Sequence, residues 1–176
     1  MQSIPEHANK RVLEVGCGTG AFTKEILKKL QDGDELHIVE LCPDFCEVVE
    51  TSLLKKFRDA HPNILVELHN SPIEEANLQG KFDAIICGLP FNNFPLDLVE
   101  QLFGVMFSFL SQGAELAYFE YLGMRSLKRT FGFPSIRRET KQRTIDIDTR
   151  YEKQSGSKET VWRNIPSCRV VRLKGC

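Results

Sequence analysis

The amino-acid sequence predicts an α/β fold: a doubly wound, seven-stranded and mostly parallel sheet with an antiparallel last strand and helices on both faces. Three observations predict it. Strand and helix patterns alternate from residue 10 to about residue 120, as they do when helices cross over a parallel sheet. Residues 81–87 are apolar enough for a strand buried on both faces. The last two strand patterns lie too close together for a crossover helix, so the final strand must run back against the others.

Lys10-Arg11-Val12-Leu13-Glu14-Val15 reads as the first strand, followed by a glycine-rich turn at residues 16–20. A helix follows over 21–30, with Phe22, Ile26, Leu27 and Leu30 at helical spacing and Asp32-Gly33-Asp34 ending it. Residues 35–41 form the second strand. Pro43 opens a helix to about residue 60, whose stripe is Phe45, Val48, Val49, Leu53, Leu54 and Phe57. Strands three and four cover 64–69 and 81–87, a helix runs from 95 to about 111, and the fifth strand covers 114–121. Five strand–helix repeats are expected in all. Residues 136–154 read as a polar helix broken by Ser155-Gly156-Ser157, and strands at 159–164 and 168–173 flank Pro166.

With 176 residues and 41% apolar content, the chain can bury one core and is too short for two ordinary domains. The expectation is a single domain over 1–176, with a short lead at 1–9 and a variable basic segment at 122–158. Basic and acidic residues nearly cancel, 23 against 24, so the overall field does not call for a nucleic-acid or membrane partner. The six cysteines are scattered without a CxxC pair, which suits reduced thiols in the cytoplasm. Cys42 and Cys46 have no matching His/Cys pair, so no metal is expected. No apolar run reaches the roughly 18 to 20 residues that span a bilayer.

Chemistry begins at Glu14-Val15-Gly16-Cys17-Gly18-Thr19-Gly20. Glycines at 16, 18 and 20 let the backbone turn sharply and approach a ligand, with the next helix directing its amides at it. Gly16, Gly18 and Ala21 also satisfy the looser dinucleotide fingerprint, so the turn alone admits NAD. Two carboxylates separate the readings. Glu14 would crowd a pyrophosphate but suits a cationic amino-acid moiety. Glu40, followed by Leu41, ends the second strand, where it can accept from both ribose hydroxyls. The bland alternative is that both are solvated strand ends.

These residues resemble the cofactor turn of Rossmann-like, class I S-adenosylmethionine-dependent methyltransferases, which implies S-adenosyl-L-methionine as cofactor. In that class the third strand usually ends in an acid that binds the adenine amino group. Here the segment is His69-Asn70-Ser71-Pro72, with Ser71 in that place and Asn70 as a second source of the polar contact. The fourth strand ends in Cys87-Gly88-Leu89-Pro90-Phe91, where adenine N-methylases carry Asn/Asp-Pro-Pro-Tyr or Asn-Leu-Pro-Tyr. Glycine in place of Asn removes the side-chain acceptor and weakens an RNA adenine reading.

Gly88-Leu89-Pro90, Pro95 and the stretch 161–170 around Trp162-Arg163-Asn164-Ile165-Pro166 resemble bacterial phosphatidylethanolamine N-methyltransferases, from about residue 10 to 174. That resemblance implies methyl transfer to the ethanolamine amine of a phospholipid. Phe91, Tyr118 and Tyr121 could then form a partial cage for the amine as it becomes a cation, and Arg163, beside Asn164, could hold a phosphate. Core packing and a carboxylate partner are the plain alternatives for these groups. Glu120 and Tyr121 are the nearest candidates for a base. Between Arg125 and Arg143 seven basic residues stand against Glu139 alone, a patch that anionic lipid or RNA phosphates would attract and that a solvated helix face would also explain. The expected protein is cytoplasmic, peripheral at the inner face of the membrane if its acceptor is a lipid. Family members carry an amphipathic helix ahead of the first strand, where this sequence has about nine residues. Readings from other classes are a small-molecule N-methyltransferase, a nicotinamide oxidoreductase and a catalytically silent domain.

Overall fold

The computed structural model describes residues 3–121, 155–161 and 168–175, with backbone alone for Asn92, Glu120, Tyr121 and residues 155–161, 168 and 169. β1 (Arg11–Val15) enters the glycine turn and α1 (Ala21–Leu27). β2 (Glu35–Val39) is followed by α2 (Pro43–Val49), a π-helical turn (Glu50–Leu54) and α3 (Lys55–Ala60). β3 (Leu65–His69) leads to β4 (Phe82–Cys87), and a 3-10 turn (Phe91–Asn93) precedes α4 (Leu96–Phe109). β5 (Leu110–Tyr121), β6 (Ser155–Val161) and β7 (Cys168–Lys174) complete the sheet.

The strand order is β3-β2-β1-β4-β5-β7-β6. Strands β3, β2, β1, β4 and β5 pair in parallel, whereas β7 is antiparallel to both of its neighbours. The predicted mostly parallel sheet with an antiparallel C-terminal strand is therefore present. The chain moves outward from β1 to β3 and then returns to place β4 beside β1. That reversal creates the crevice in which open α/β sheets bind ligands.

Alternation along each strand feeds two cores. On one face Leu13, Val15, Ile85 and Leu116 pack under Val99, Phe103 and Met106 of α4. On the other, Val12, Leu36, Ile38 and Ile86 pack with Ile26 and Leu27 of α1, Val49 and Leu54. Each such side chain contributes about 1.5–3 kcal/mol by leaving water. Ile4 joins the second core, and Arg172 donates from Nε to Ser3 Oγ at 3.1 Å, so Ser3 and Ile4 lie against the sheet.

The structure departs from the sequence reading in several elements. No helix stands between β3 and β4, so five strand–helix repeats are not formed; Ile73 and Leu78 instead dock that connection on the core. The helix expected to reach residue 30 ends at Leu27, where the amides of Lys29 and Leu30 bond three residues back, to Ile26 and Leu27, and tighten the chain into a turn. The helix over 43–60 is interrupted by its π turn. Thr51 and Ser52 hydroxyls there donate to the Glu47 and Val48 carbonyls, competing with the backbone amides that would continue a regular α-helix. β5 begins at Leu110, four residues early, through a register shift against β4 beside Gly113. β6 begins at Ser155 rather than 159, because a bulge between Ser155 and Ser157 lets small residues pair with β7. The helix expected over 136–154 and the basic cluster lie outside the described residues.

Lys10 and Asp34 form a buried ion pair at the amino-terminal edge of β1 and β2. Asp34 also accepts from the backbone amides of Lys10 at 3.0 Å and Gln31 at 2.7 Å, so its carboxylate replaces water almost completely. Asp34→Ala leaves the ammonium buried without its partner and should lower unfolding stability by about 3–5 kcal/mol in urea titrations; a loss below about 1 kcal/mol would show that the ammonium escapes to solvent.

Candidate cofactor-binding site

The carboxyl ends of β1, β2, β3 and β4 meet at the reversal point. Pairing continues one residue past the strands: the Gly16 amide donates to the Val39 carbonyl at 2.8 Å, Gly88 to Val15 at 2.8 Å, and Glu40 to His69 at 3.0 Å. Their turns are thus joined edge to edge. Backbone conformation at one position and close approach at another disfavour side chains. At Gly16 the backbone is left-handed (φ +75°) and a Cβ would fall 2.5 Å from Leu89 Cδ2. At Gly88 a Cβ would fall 2.3 Å from the Gly16 carbonyl oxygen. The turn's other glycines, Gly18 and Gly20, also have positive φ.

Glu40 joins two of these turns. Its Oε2 accepts from the Gly18 amide at 2.9 Å and its Oε1 from the Cys42 amide at 2.9 Å. Each oxygen keeps acceptor capacity toward the cleft. Asn70 donates from Nδ2 to the carbonyls of Glu40 at 2.9 Å and Leu41 at 3.1 Å, which fixes this loop from behind. Leu41 is 67% exposed beside the cleft, where its side chain is available to a ligand.

A cleft of about 270 Å³ opens here, close to the lower end of the usual range for small-molecule pockets. Of the predicted residues it is lined by Gly16, Glu40, Leu41, Ser71, Pro72 and Leu89. Ser71 Oγ is buried and has no hydrogen-bond partner among the described residues. Such a hydroxyl costs about 1–3 kcal/mol, which a bound polar group would recover. Sequence reasoning missed Ile73, Glu74, Phe94, Leu98 and Leu102, which also line the cleft. The last two belong to an apolar helix whose stripe reads as core, and only the fold shows that its first turns face the opening.

Glu14 takes a different place from the one expected. It lies fully buried behind the glycine turn and does not line the cleft, and its carboxylate oxygens have no hydrogen-bond partner among the described residues. β1 alternation turns it toward α1, whose N-cap Gly20 offers no side chain. Burial raises its carboxyl from 4.5 to about 7. Thr23's hydroxyl and amide oppose the rise, although they fall short of hydrogen-bond geometry, and negative Glu40 adds to it. Cys17 packs into the core beside α1, and burial followed by the charges of Glu14 and Glu40 pushes its thiol up. Its contribution to the turn is its carbonyl, which accepts from the Gly20 amide at 2.9 Å.

The aromatic cage is not formed as expected by Phe91 and Tyr118. They are 6% and 3% exposed, lie edge to face at 5.7 Å, and pack with Phe103. Core packing accounts for both. Pro90 is exposed and starts the turn that leads to α4. Glu120 and Tyr121 pair through their backbones with β7. Arg163 and Asn164 lie outside the described residues.

Residues 12–113 match the family described as "Methyltransferase domain". A malonyl-[acyl-carrier protein] O-methyltransferase of Ilyobacter polytropus is 30% identical over 115 residues, covering 64% of this chain and 39% of that protein. An ornithine lipid N-methyltransferase of Singulisphaera acidiphila is 29% identical over 115 residues, covering 60% of this chain and 55% of that protein. The chain thus spans about 39–55% of the length of these curated relatives. The N-methyltransferase NodS of Bradyrhizobium japonicum WM9, in complex with S-adenosyl-L-homocysteine, superposes with a TM-score of 0.67 at 15% identity, covering 98% of this chain and 81% of that one. That likeness shows the fold.

Because its folded value lies above the ordinary 4.5, the Glu14 contribution to stability is fully present below about pH 4.5 and lost as pH rises to about 7. The loss amounts to about 3 kcal/mol. Urea unfolding at pH 5 and pH 8 should show that Glu14→Gln removes most of this difference from the protein's total pH dependence; an identical dependence in both proteins would mean that Glu14 ionises without penalty.

Proposed function

The chain belongs to the methyltransferase-domain family of class I S-adenosylmethionine-dependent enzymes, and from that premise we propose that it methylates an amine, the ethanolamine head group of a phospholipid. The same membership decides between the two cofactors left open by the glycine turn. The observation that carries the cofactor half is the paired chemistry of the cleft: a carboxylate at the end of β2 and an orphaned hydroxyl after β3, between apolar walls. Glu40 fits a ribose diol, since it retains acceptor capacity on both oxygens. Ser71 fits an adenine edge, with Leu41 and Pro72 available against the ring.

Held by Glu40 and Ser71, the cofactor would supply an electrophilic methyl carbon on a sulfonium for transfer to an unprotonated amine. The protein's task is alignment and exclusion of water. Leu89, Phe94 and Leu98 provide apolar surface for this. Glu14 stands behind the turn on the α1 side, outside the cleft lining, so the cationic end of the ligand would meet it only across the turn backbone.

The acceptor reading is supported by Gly88-Leu89-Pro90, by Trp162-Arg163-Asn164 and by the similarity to a lipid N-methyltransferase. The basic residues between Arg125 and Arg143 suit an anionic membrane surface, at roughly 1 kcal/mol for each one near the head groups.

Labelled S-adenosylmethionine incubated with phosphatidylethanolamine vesicles should transfer label to lipid. Label found instead in RNA, a soluble amine or a carrier-bound carboxylate overturns the acceptor assignment, and no transfer to any of the four overturns methyl transfer. Glu40→Ala should raise KM for the cofactor about 5- to 150-fold, the equivalent of about 1–3 kcal/mol for a charged hydrogen bond. An unchanged KM would place the ribose elsewhere.

A further inference from the structure

A second constellation lies on β2 and β3, outside the cleft lining. His37 pairs in register with Glu67, and His69 lies two residues further along β3, opposite Val39. The three side chains therefore share one face of the sheet, where the β3–β4 connection contains no helix. His37 Nδ1 lies 3.3 Å from His69 Nε2 and 3.3 Å from Glu67 Oε2, and His69 Nε2 lies 3.6 Å from the same Glu67 oxygen. One atom from each residue thus forms a nearly equilateral triangle.

We propose that His37 Nδ1, His69 Nε2 and Glu67 Oε2 bind a divalent transition-metal ion, with zinc the best match. A tetrahedral zinc site with bonds of about 2.0–2.2 Å has donor-to-donor edges of about 3.3–3.6 Å, and all three edges of this triangle fall in that range. Two imidazoles and one carboxylate are also a recurrent zinc set, leaving a fourth position for water. A purely structural histidine pair would not require the same two nitrogens to converge on one carboxylate oxygen.

The surroundings supply a second and independent feature. The other nitrogen of His37, Nε2, lies 3.4 Å from Glu35 Oε2, and that oxygen accepts from Arg11 Nε at 2.6 Å. A carboxylate on the non-coordinating nitrogen is the arrangement that orients metal-bound histidines. His37 is fixed further by edge-to-face packing on Phe82 at 5.4 Å. Its side chain is 8% exposed against 47% for Glu67, so one ligand is rigid and another can admit or release the ion. The Glu40 amide bonds to the His69 carbonyl, so an ion here clamps the two strands whose ends carry Glu40 and Ser71.

Titration of the metal-free protein with cobalt(II) tests the site. One equivalent should bind with the intense visible bands of a four-coordinate ion, displaceable by zinc. Glu67→Gln and His69→Ala, at exposed and partly exposed positions, should weaken binding at least about 100-fold while circular dichroism remains unchanged. Glu35→Gln should weaken it about 10-fold. The absence of visible bands overturns the proposal. So do unchanged binding in Glu67→Gln and His69→Ala, or a thiolate charge-transfer band, which would place the ion on cysteines.

Discussion

The Glu40 carboxylate holds the cleft together. It binds the Gly18 amide with one oxygen and the Cys42 amide with the other, joining the turn after β1 to the turn after β2 at the point where the strand order reverses. The shape of the cleft depends on how closely these turns approach. Gly16 is required by its left-handed backbone, φ +75°, and Gly88 by the Gly16 carbonyl, which leaves room only for hydrogen. Parallel pairing makes this possible, since it aligns four carboxyl ends on one edge of the sheet.

The polar groups of the fold are divided between its two ends. At the amino-terminal edge, Lys10 and Asp34 are buried as a matched pair with further backbone bonds. At the carboxyl edge, Glu14 and Ser71 are buried with atoms left unpartnered. Unpaired buried groups destabilise the free protein. Of these atoms only Ser71 Oγ belongs to a residue that lines the cleft, where a bound polar group would satisfy it; Glu14 lies behind the turn on the α1 side.

The local features of the sequence were legible. β1, its glycine turn and Glu40 could be read because a short apolar run, a sequence of glycines and a strand-ending acid each leave a local trace. Features made by distant residues were not. Glu14 reads as a ligand contact beside the glycines, yet strand alternation turns it to the α1 side. Phe91 and Tyr118 read as a cage, yet both rings meet Phe103. α4 reads as core, and its first turns line the cleft. His37 and His69 lie 32 residues apart, and only the β2–β3 register brings their nitrogens together. The bulges that begin β5 and β6 early also depend on partners that local patterns do not show.

We propose above all that the cleft between Glu40 and Ser71 holds an adenosyl cofactor. Calorimetric titration with S-adenosylhomocysteine and, separately, with NADH tests it most directly. One molecule of S-adenosylhomocysteine should bind per chain, with no heat of binding from NADH. Binding of NADH without S-adenosylhomocysteine would contradict it.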